Sequence, residues 1–524
     1  MATPTSSERV SEVLSSSQAY INALLSETKW GGPVGTGLSL TYSFPTYGSS
    51  WSSAPVGTGG YGPSTGSGEP WGNNLTPLNA IQQSAFVQAL QSWSAVANVS
   101  FVQVSETPSQ VGDIRVAFSA TLPSSTSGHA YFPYSSEGAG GDIWLNPNGS
   151  ANQSPQPGNF GFMVMVHEIG HALGLKHPFD GAITLPSGTE TNQYTAMSYN
   201  NAPGAGVFPA GPMLYDIAAI QYLYGANTSY QTGNDTYQFS ASAEELRTIW
   251  DAGGIDTFDA SNQVLGATIN LNAGGFSSIG VKGGGSPARQ NIAIAYGAVI
   301  ENAVGGTGSD VLTGNAEGNV LEGRTGNDTL FGGAGRDVLR GGANNDLLCG
   351  NQGEDTLFGD DGDDQLYGGV DNDTLWGGEG NDQLNGDNGA DLLFGNRGSD
   401  TLFGNMGSDS LYGGAGDDLL YGGRDDDRLY GDVGSDTLVG GLGSDMLFGG
   451  DDADVFRFQV GDGADTILDF NYAAGDRIEL ASGRGYALKA VGSSSMMLDF
   501  LNGDTITLAG NTPSQFSASW LVFV

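Results

Sequence analysis

Between Gly305 and Arg457 the sequence repeats every nine residues, in the register G-G-x-G-x-D-x-L-x, for seventeen copies without an insertion. The sixth position is Asp310, Asn319, Asp328, Asp337, Asp346, Asp355, Asp364, Asp373, Asp382, Asp391, Asp400, Asp409, Asp418, Asp427, Asp436, Asp445 and Asp454, so only Asn319 departs from aspartate. The eighth is leucine from Leu312 through Leu447 and becomes Phe456 in the last copy. A Gly- and Asp-rich tract is often disordered, but disorder does not hold a leucine in register sixteen times. The x-Leu-x triplet therefore reads as a short strand with its leucine pointing inward. Two repeats make one coil, and stacked coils set the strands about 4.8 Å apart. One coil cannot bury its leucines alone, so the array is expected to fold cooperatively, as a parallel solenoid.

A carboxylate every nine residues, framed by glycines, suits Ca2+, a hard ion that takes oxygen ligands from side chains and carbonyls. The aspartates from Asp310 to Asp454 are thus candidate calcium ligands, and roughly 15 ions fit if each sits between stacked turns. Charge points the same way. The block holds 31 acidic and 7 basic residues, contributing −24 of a formal net charge of −40. So much like charge opposes a compact fold unless cations neutralise it. It also argues against nucleic acid and anionic membrane surfaces as partners. No segment approaches the ~20 apolar residues of a membrane helix. The single cysteine, Cys349, rules out an intramolecular disulfide and a Cys-based structural zinc site.

A second constraint lies upstream, at His167-Glu168-Ile169-Gly170-His171-Ala172-Leu173-Gly174-Leu175-Lys176-His177. His167 and His171 are four apart, so on a helix they share one face and can grip one metal ion. Glu168 sits beside the first ligand, within reach of a water at that ion. Gly174 can adopt a left-handed conformation and end the helix, and the chain then returns His177 as a third ligand. Three neutral imidazoles with one open position make a catalytic zinc site, not a closed structural one. Only four histidines occur in the chain, and three fall in this segment. The fourth, His129, reads as a structural hydrogen-bonding residue, the alternative being that it lines the substrate cleft. Thr195-Ala196-Met197-Ser198-Tyr199 completes the pattern of a zinc-binding helix followed by a Met-turn.

With both signatures in one chain, the sequence resembles the serralysins, secreted bacterial zinc metalloproteases of the metzincin clan with an RTX calcium domain. The resemblance covers nearly the whole chain and includes Leu40-Thr41-Tyr42-Ser43-Phe44, Gly128-His129-Ala130-Tyr131, Asp216-Ile217-Ala218-Ala219 and Trp250-Asp251-Ala252-Gly253-Gly254. It implies an α+β metzincin catalytic domain followed by an all-β parallel β-roll (RTX solenoid) with a β-rich C-terminal cap. It also implies zinc on His167, His171 and His177, Glu168 as general base, and Met197 as a hydrophobic floor. Tyr199 would be an extra zinc ligand that swings away to stabilise the tetrahedral intermediate. Asp251, Gly253, Gly254, Asp256 and Asp259 would join calcium sites where the domains meet. The implied partners are protein and peptide substrates, a type I secretion apparatus and a periplasmic proteinaceous inhibitor, with the chain acting as a monomer. Seventeen repeats exceed what the family leads one to expect, and the loop between His177 and Met197 is short. The hydrophobic end, Trp520-Leu521-Val522-Phe523-Val524, resembles a type I export signal without its usual preceding acidic residue.

Along the chain, residues 1–30 read as a leader or propeptide, although 11–25 has helical spacing and can pack on the catalytic domain instead. Residues 31–240 read as the catalytic domain, 241–304 as a junction, 305–457 as the roll and 458–524 as the cap. Strands are expected at 38–44, 98–104 and 113–118, and helices near 79–96, 161–173 and 212–223. Gly128, Ala130 and Tyr131, or else 140–146, would supply an edge strand to which an extended peptide adds. No Sec-type signal peptide is expected at the start. The resulting expectation is a secreted zinc endopeptidase stabilised by calcium. The alternative is a calcium-organised surface or adhesion protein with a vestigial zinc site.

Overall fold

The nine-residue period closes into coils of eighteen residues. In the computed structural model, residues 3–4, 10–53, 61, 69–71, 74–133, 139–203, 206–282, 285–483, 485–500 and 502–524 are described. The backbone N–H of Asp328 donates to Asp346 Oδ1 at 2.7 Å, and that of Asp346 to Asp364 Oδ1 at 2.8 Å. Strands pair in parallel at the same step, Leu330 with Leu348 and Leu339 with Leu357. Alternate repeats therefore enter different sheets, one of fifteen and one of twelve strands among the described residues. The eighth-position leucines from Leu312 to Leu447, and Phe456, are 0% exposed and form the interior.

The strands are longer than the expected triplet. Most run six residues, as in Thr329–Ala334, because the glycine-rich half of each repeat also joins the ladder, Gly333 opposite Asn351. At the ninth position Phe358, Trp376, Phe394, Tyr412 and Tyr430 stack one coil apart, with ring centroids 4.7 to 5.5 Å from their neighbours. This is the spacing of adjacent strands, so the rings face one another and add cross-strand contact. Beyond the repeats, Ala464–Ile467 and Thr505–Leu508 extend one sheet, and Arg477–Leu480 and Leu521–Phe523 extend the other. Ser495–Asp499 and Ala487–Val491 then turn back antiparallel.

Contacts divide the chain into two compact units: Met1–Asp235 with Phe239–Asp256 and Ala273–Ile300, and Thr236–Gln238 with Thr257–Asn272 and Glu301–Val524. Segment 241–304 is thus shared between them. In the first unit the expected strands are Leu38–Ser43, Val99–Gln103 and Ile114–Ser119, and the expected helices are Ala80–Val96, Phe160–Ala172 and Leu214–Tyr224. The sheet runs Val99–Gln103, Leu38–Ser43, Ile114–Ser119, Ile143–Leu145, Gly128–Ala130. Its last strand is antiparallel to its neighbour, the other four pair in parallel, and a sixth strand, Leu75–Thr76, pairs antiparallel with Ile114–Ser119. Helix Ala80–Val96 begins with a reciprocal cap between Asn79 and Gln82, and Trp93 Nε1 donates to Val166 O at 3.2 Å, fixing it on helix Phe160–Ala172.

The helical spacing of 11–25 yields only the short helix Ala19–Asn22, and Val10–Glu12 instead pairs antiparallel with Thr28–Trp30. Residues 19–30, expected as part of a leader, pack inside the first unit. Ala23 and Leu24 are buried, Ser26 N donates to Gly174 O at 3.0 Å, and Lys176 N donates to Leu24 O at 2.8 Å. Tertiary pairing with the chain after Ala172 has taken the backbone groups that a longer helix needs.

Candidate metal centre

Helix Phe160–Ala172 starts at Asn159, whose side chain accepts from Phe162 N at 3.0 Å, and every residue from Gly161 to Ala172 is buried. Gly170 is required by packing: a Cβ there would collide with Met197 Sδ. Met197 is buried against this face, and Asp216 holds the turn that carries it. Asp216 accepts from Thr195 Oγ1 at 2.5 Å, Ala196 N at 2.6 Å and Met213 N at 2.9 Å. Burial still raises its carboxyl to about 6. After the helix, Gly174 takes φ +104° and the chain reverses to present His177.

The three imidazoles converge. Nε2 of His171 lies 3.1 Å from that of His167 and 3.0 Å from that of His177, and the remaining pair is 3.3 Å apart. Each Nδ1 has a partner: His167 reaches Ala196 O at 2.8 Å, His171 Leu175 O at 2.7 Å and His177 Asp180 Oδ2 at 2.7 Å. Carbonyl and carboxylate oxygens only accept, so the ring protons belong on Nδ1. Three Nε2 lone pairs then face one another with no proton between them, which calls for a cation. Nitrogens about 2.1 Å from a tetrahedral zinc stand about 3.4 Å apart, close to the spacing here. Burial depresses His167 to about 4 and His171 well below its ordinary value, keeping both neutral as ligation requires. The donor set thus fits zinc.

Glu168 is buried beside this cluster, and its Oε2 has no hydrogen-bond partner among the described residues. Burial raises its carboxyl to about 8, and a cation in the cluster acts in the opposite direction. Tyr199 Oη lies 2.6 Å from His177 Nε2, with the side chain largely exposed and its hydroxyl pushed up to about 12, chiefly by desolvation. Strand Gly128–Ala130 forms the sheet edge nearest this chemistry, since a Cβ on Gly128 would lie 3.0 Å from Glu168 Oε1. Segment 140–146 is not that edge: Ile143–Leu145 has a strand on each side. Tyr131 follows the strand, and its N–H donates to Asp142 O at 3.0 Å. His129 Nε2 is 2.8 Å from Glu69 Oε1, off the line of a hydrogen bond.

Of the residues expected around 251–259, Asp251 and Asp256 bring carboxylate oxygens within 4.8 Å of one another and of Asp235, which sequence reading missed. Gly253 N donates to Asp251 Oδ1 at 2.9 Å, and Gly253 and Gly254 both have positive φ. Asp259 lies in the second unit, where its carboxylate accepts from Ser261 N and Gln238 Nε2. In the roll, Oδ2 of every repeat aspartate from Asp328 to Asp454 is buried without a hydrogen-bond partner among the described residues. A Cβ on Gly323 would strike Asp328 Oδ2 and lie 2.7 Å from Gly341 O, so carboxylate and carbonyl oxygens share a cradle kept open by glycine. The first two copies differ. Asp310 Oδ2 accepts from Gly306 N at 2.6 Å, and Asn319 Nδ2 donates to Glu301 O at 2.8 Å.

Asp180 was also missed. No spacing rule marks a residue three after the last histidine, and only the folded loop brings its carboxylate onto His177. Lys176 Nζ steadies that loop by donating to Asp180 O and, at 2.7 Å, to Ala23 O.

Comparison with known proteins gives the family. Residues 215–489, more than half of the chain, match the family model described as Peptidase M10 serralysin C terminal, and residues 73–197 match Matrixin. The chain is 36% identical to Serralysin B of Dickeya chrysanthemi over 319 residues, covering 54% of this chain and 61% of that protein. It is 31% identical to Serralysin of Proteus mirabilis over 339 residues, covering 56% and 63%. It is 35% identical to Metallopeptidase AprA of Pseudomonas marginalis over 318 residues, covering 54% and 62%. These matches span less than two thirds of each relative.

Proposed function

The chain belongs to the serralysin family, and on that premise we propose that it is a zinc-dependent endopeptidase that works outside the cell and is held in shape by calcium. The observation that carries this reading is the set of three mutually facing Nε2 acceptors with the unpartnered Glu168 Oε2 beside them. His167, His171 and His177 would hold the ion. A bound zinc supplies Lewis-acid polarisation of the scissile carbonyl and lowers the pKa of water.

The chain's own groups do the rest. An extended substrate adds to the edge of Gly128–Ala130, and the missing side chain at Gly128 lets its backbone pass close to Glu168. Glu168 takes a proton from the attacking water and delivers it to the leaving amine. The Tyr199 hydroxyl donates a hydrogen bond to the developing oxyanion. Asp180, Ala196 O and Leu175 O keep the imidazoles turned and tautomerically set.

Calcium in this reading occupies the glycine-lined cradles at the repeat aspartates from Asp328 to Asp454, and a further ion sits among Asp235, Asp251 and Asp256. Oxygen-only surroundings and uncompensated carboxylates suit a hard cation. At Asp310 and Asn319 the polypeptide supplies its own donors instead. In a calcium-poor cytoplasm the roll's charges would keep it open for export, and calcium outside would fold it.

The test is digestion of a denatured protein in calcium buffer by the wild type and by Glu168→Ala, with bound zinc measured in both. Retained zinc with activity reduced at least about a hundredfold supports the assignment. Comparable activity in the two removes Glu168 from the role of base. A zinc-loaded wild type that cleaves nothing would favour a calcium-organised binding protein with a silent site.

A further inference from the structure

Resting on the zinc endopeptidase reading, we propose that Lys176 is a positioning residue that couples docking of the N-terminal segment to the holding of zinc, by fixing the loop that sets Asp180 on His177. The end of helix Phe160–Ala172 and the reversal after it present carbonyls with no partner inside the helix. Residues 23–30 meet them. Trp30 Nε1 donates to Ala172 O at 2.8 Å and Ser26 N to Gly174 O at 3.0 Å. Tyr224 Oη donates to Leu173 O at 2.7 Å and itself accepts from Trp30 N at 3.2 Å. Leu25 pairs antiparallel with Leu175, and Lys176 N donates to Leu24 O at 2.8 Å. Gly174 admits this approach, since a Cβ there would lie 2.7 Å from Thr28 O. The segment is thus laid along the chain up to the residue before His177.

The Lys176 side chain carries the connection one step further. An ammonium has three donors and no acceptor. Here Nζ donates to Ala23 O at 2.7 Å, to Asp180 O, and to Ile183 O at 3.1 Å. One donor holds the N-terminal segment and two close the loop after His177. Within that loop Asp180 N donates to His177 O at 3.2 Å, and the Asp180 carboxylate meets His177 Nδ1 at 2.7 Å. Phe179 and Asp180 are exposed, so packing does little to fix the loop. Without the ammonium, three carbonyl oxygens would surround one point with no cation between them. The loop would open, Asp180 would exchange His177 for water, and the third imidazole would lose its aim. His167 and His171 sit on the buried helix, so the dependence falls on the third ligand.

The experiment sets wild type, Lys176→Met, Asp180→Ala and the double variant against a chromophoric chelator in competition for zinc, all in calcium buffer. Methionine keeps most of the apolar stem and removes the ammonium. Lys176→Met is expected to bind zinc about tenfold more weakly, the lower end of what losing a group behind a metal ligand costs. The double variant is expected to match Asp180→Ala alone, because both changes break one route. Losses that multiply mean separate roles and overturn the inference. Coupling is reciprocal: removing zinc from the wild type is expected to speed amide hydrogen exchange in residues 23–30 by about tenfold, and much less in Lys176→Met. Unchanged zinc affinity in Lys176→Met, or exchange in 23–30 that ignores zinc in the wild type, also overturns the inference while leaving the endopeptidase reading intact. If Lys176→Met does not fold, the wild-type exchange decides alone. A wild type that binds no zinc removes the parent reading and this inference with it.

Discussion

The histidine cluster and the roll both present acceptors that the polypeptide does not satisfy, yet they are assembled in opposite ways. Around the histidines, two segments, the loop after the helix with Leu175 O and Asp180 and the turn with Ala196 O, aim three rings, and His167 and His171 are buried on the apolar helix. In the roll a single bond, from the N–H of one aspartate to Oδ1 of the aspartate eighteen residues on, recurs along the solenoid. The cluster's rings are aimed by hydrogen bonds to Ala196 O, Leu175 O and Asp180, within the polypeptide itself. The roll gathers carboxylates by the same repetition that builds it. On the proposed reading its folding free energy is tied to cations, whereas the cluster's geometry is tied to packing.

The widest expected separation between the two regions follows calcium removal. In excess chelator at pH 8 the roll is expected to lose most of its β-structure, read by far-UV circular dichroism, while the Trp93 and Trp144 environments of the first unit change less. A spectrum indifferent to chelation would break the comparison outright. Acid should then partly undo the loss. Burial raises the repeat carboxyls above the 3.8 of an ordinary aspartate, from about 6 at Asp328 to about 8 at Asp346, Asp373 and Asp427. A raised folded-state pKa means the folded form holds protons more tightly, so this stabilisation is complete below about pH 4 and lost as pH climbs through 6 to 8. In chelator, the β-signal is expected to return between pH 8 and pH 4; a roll that stays unfolded throughout contradicts the assignment of charge repulsion as the cause.

Asp216→Ala tests the other side. It strips partners from Thr195 Oγ1, Ala196 N and Met213 N. A loss of about 3 kcal/mol from the first unit is expected, seen as a lower Tm of its transition with the calcium-loaded roll unmoved. The smallest effect is the sharpest on mechanism. Asn319→Asp removes an amide that already donates to Glu301 O, and it should add about one bound calcium per chain by equilibrium dialysis. Unchanged stoichiometry would mean that the first coil is closed for reasons other than this amide.

Periodic features were legible without coordinates. The leucine register, the eighteen-residue coil, the H-E-x-x-H face and the turn at Gly174 all follow from residue spacing, because helix and strand geometry are local. Residues 11–25 misled for the same reason: their helical spacing is local, but the bonds to Gly174 and Lys176 that decide their conformation are not. Asp180 on His177, Asp235 beside Asp251 and the choice of Gly128–Ala130 over 140–146 as the edge were decided by tertiary structure alone. Each depends on which polar group meets a partner after distant segments pack, and no spacing rule encodes that meeting. The sequence determined what repeats and what chemistry is available; only the folded chain decided which acceptors are left over.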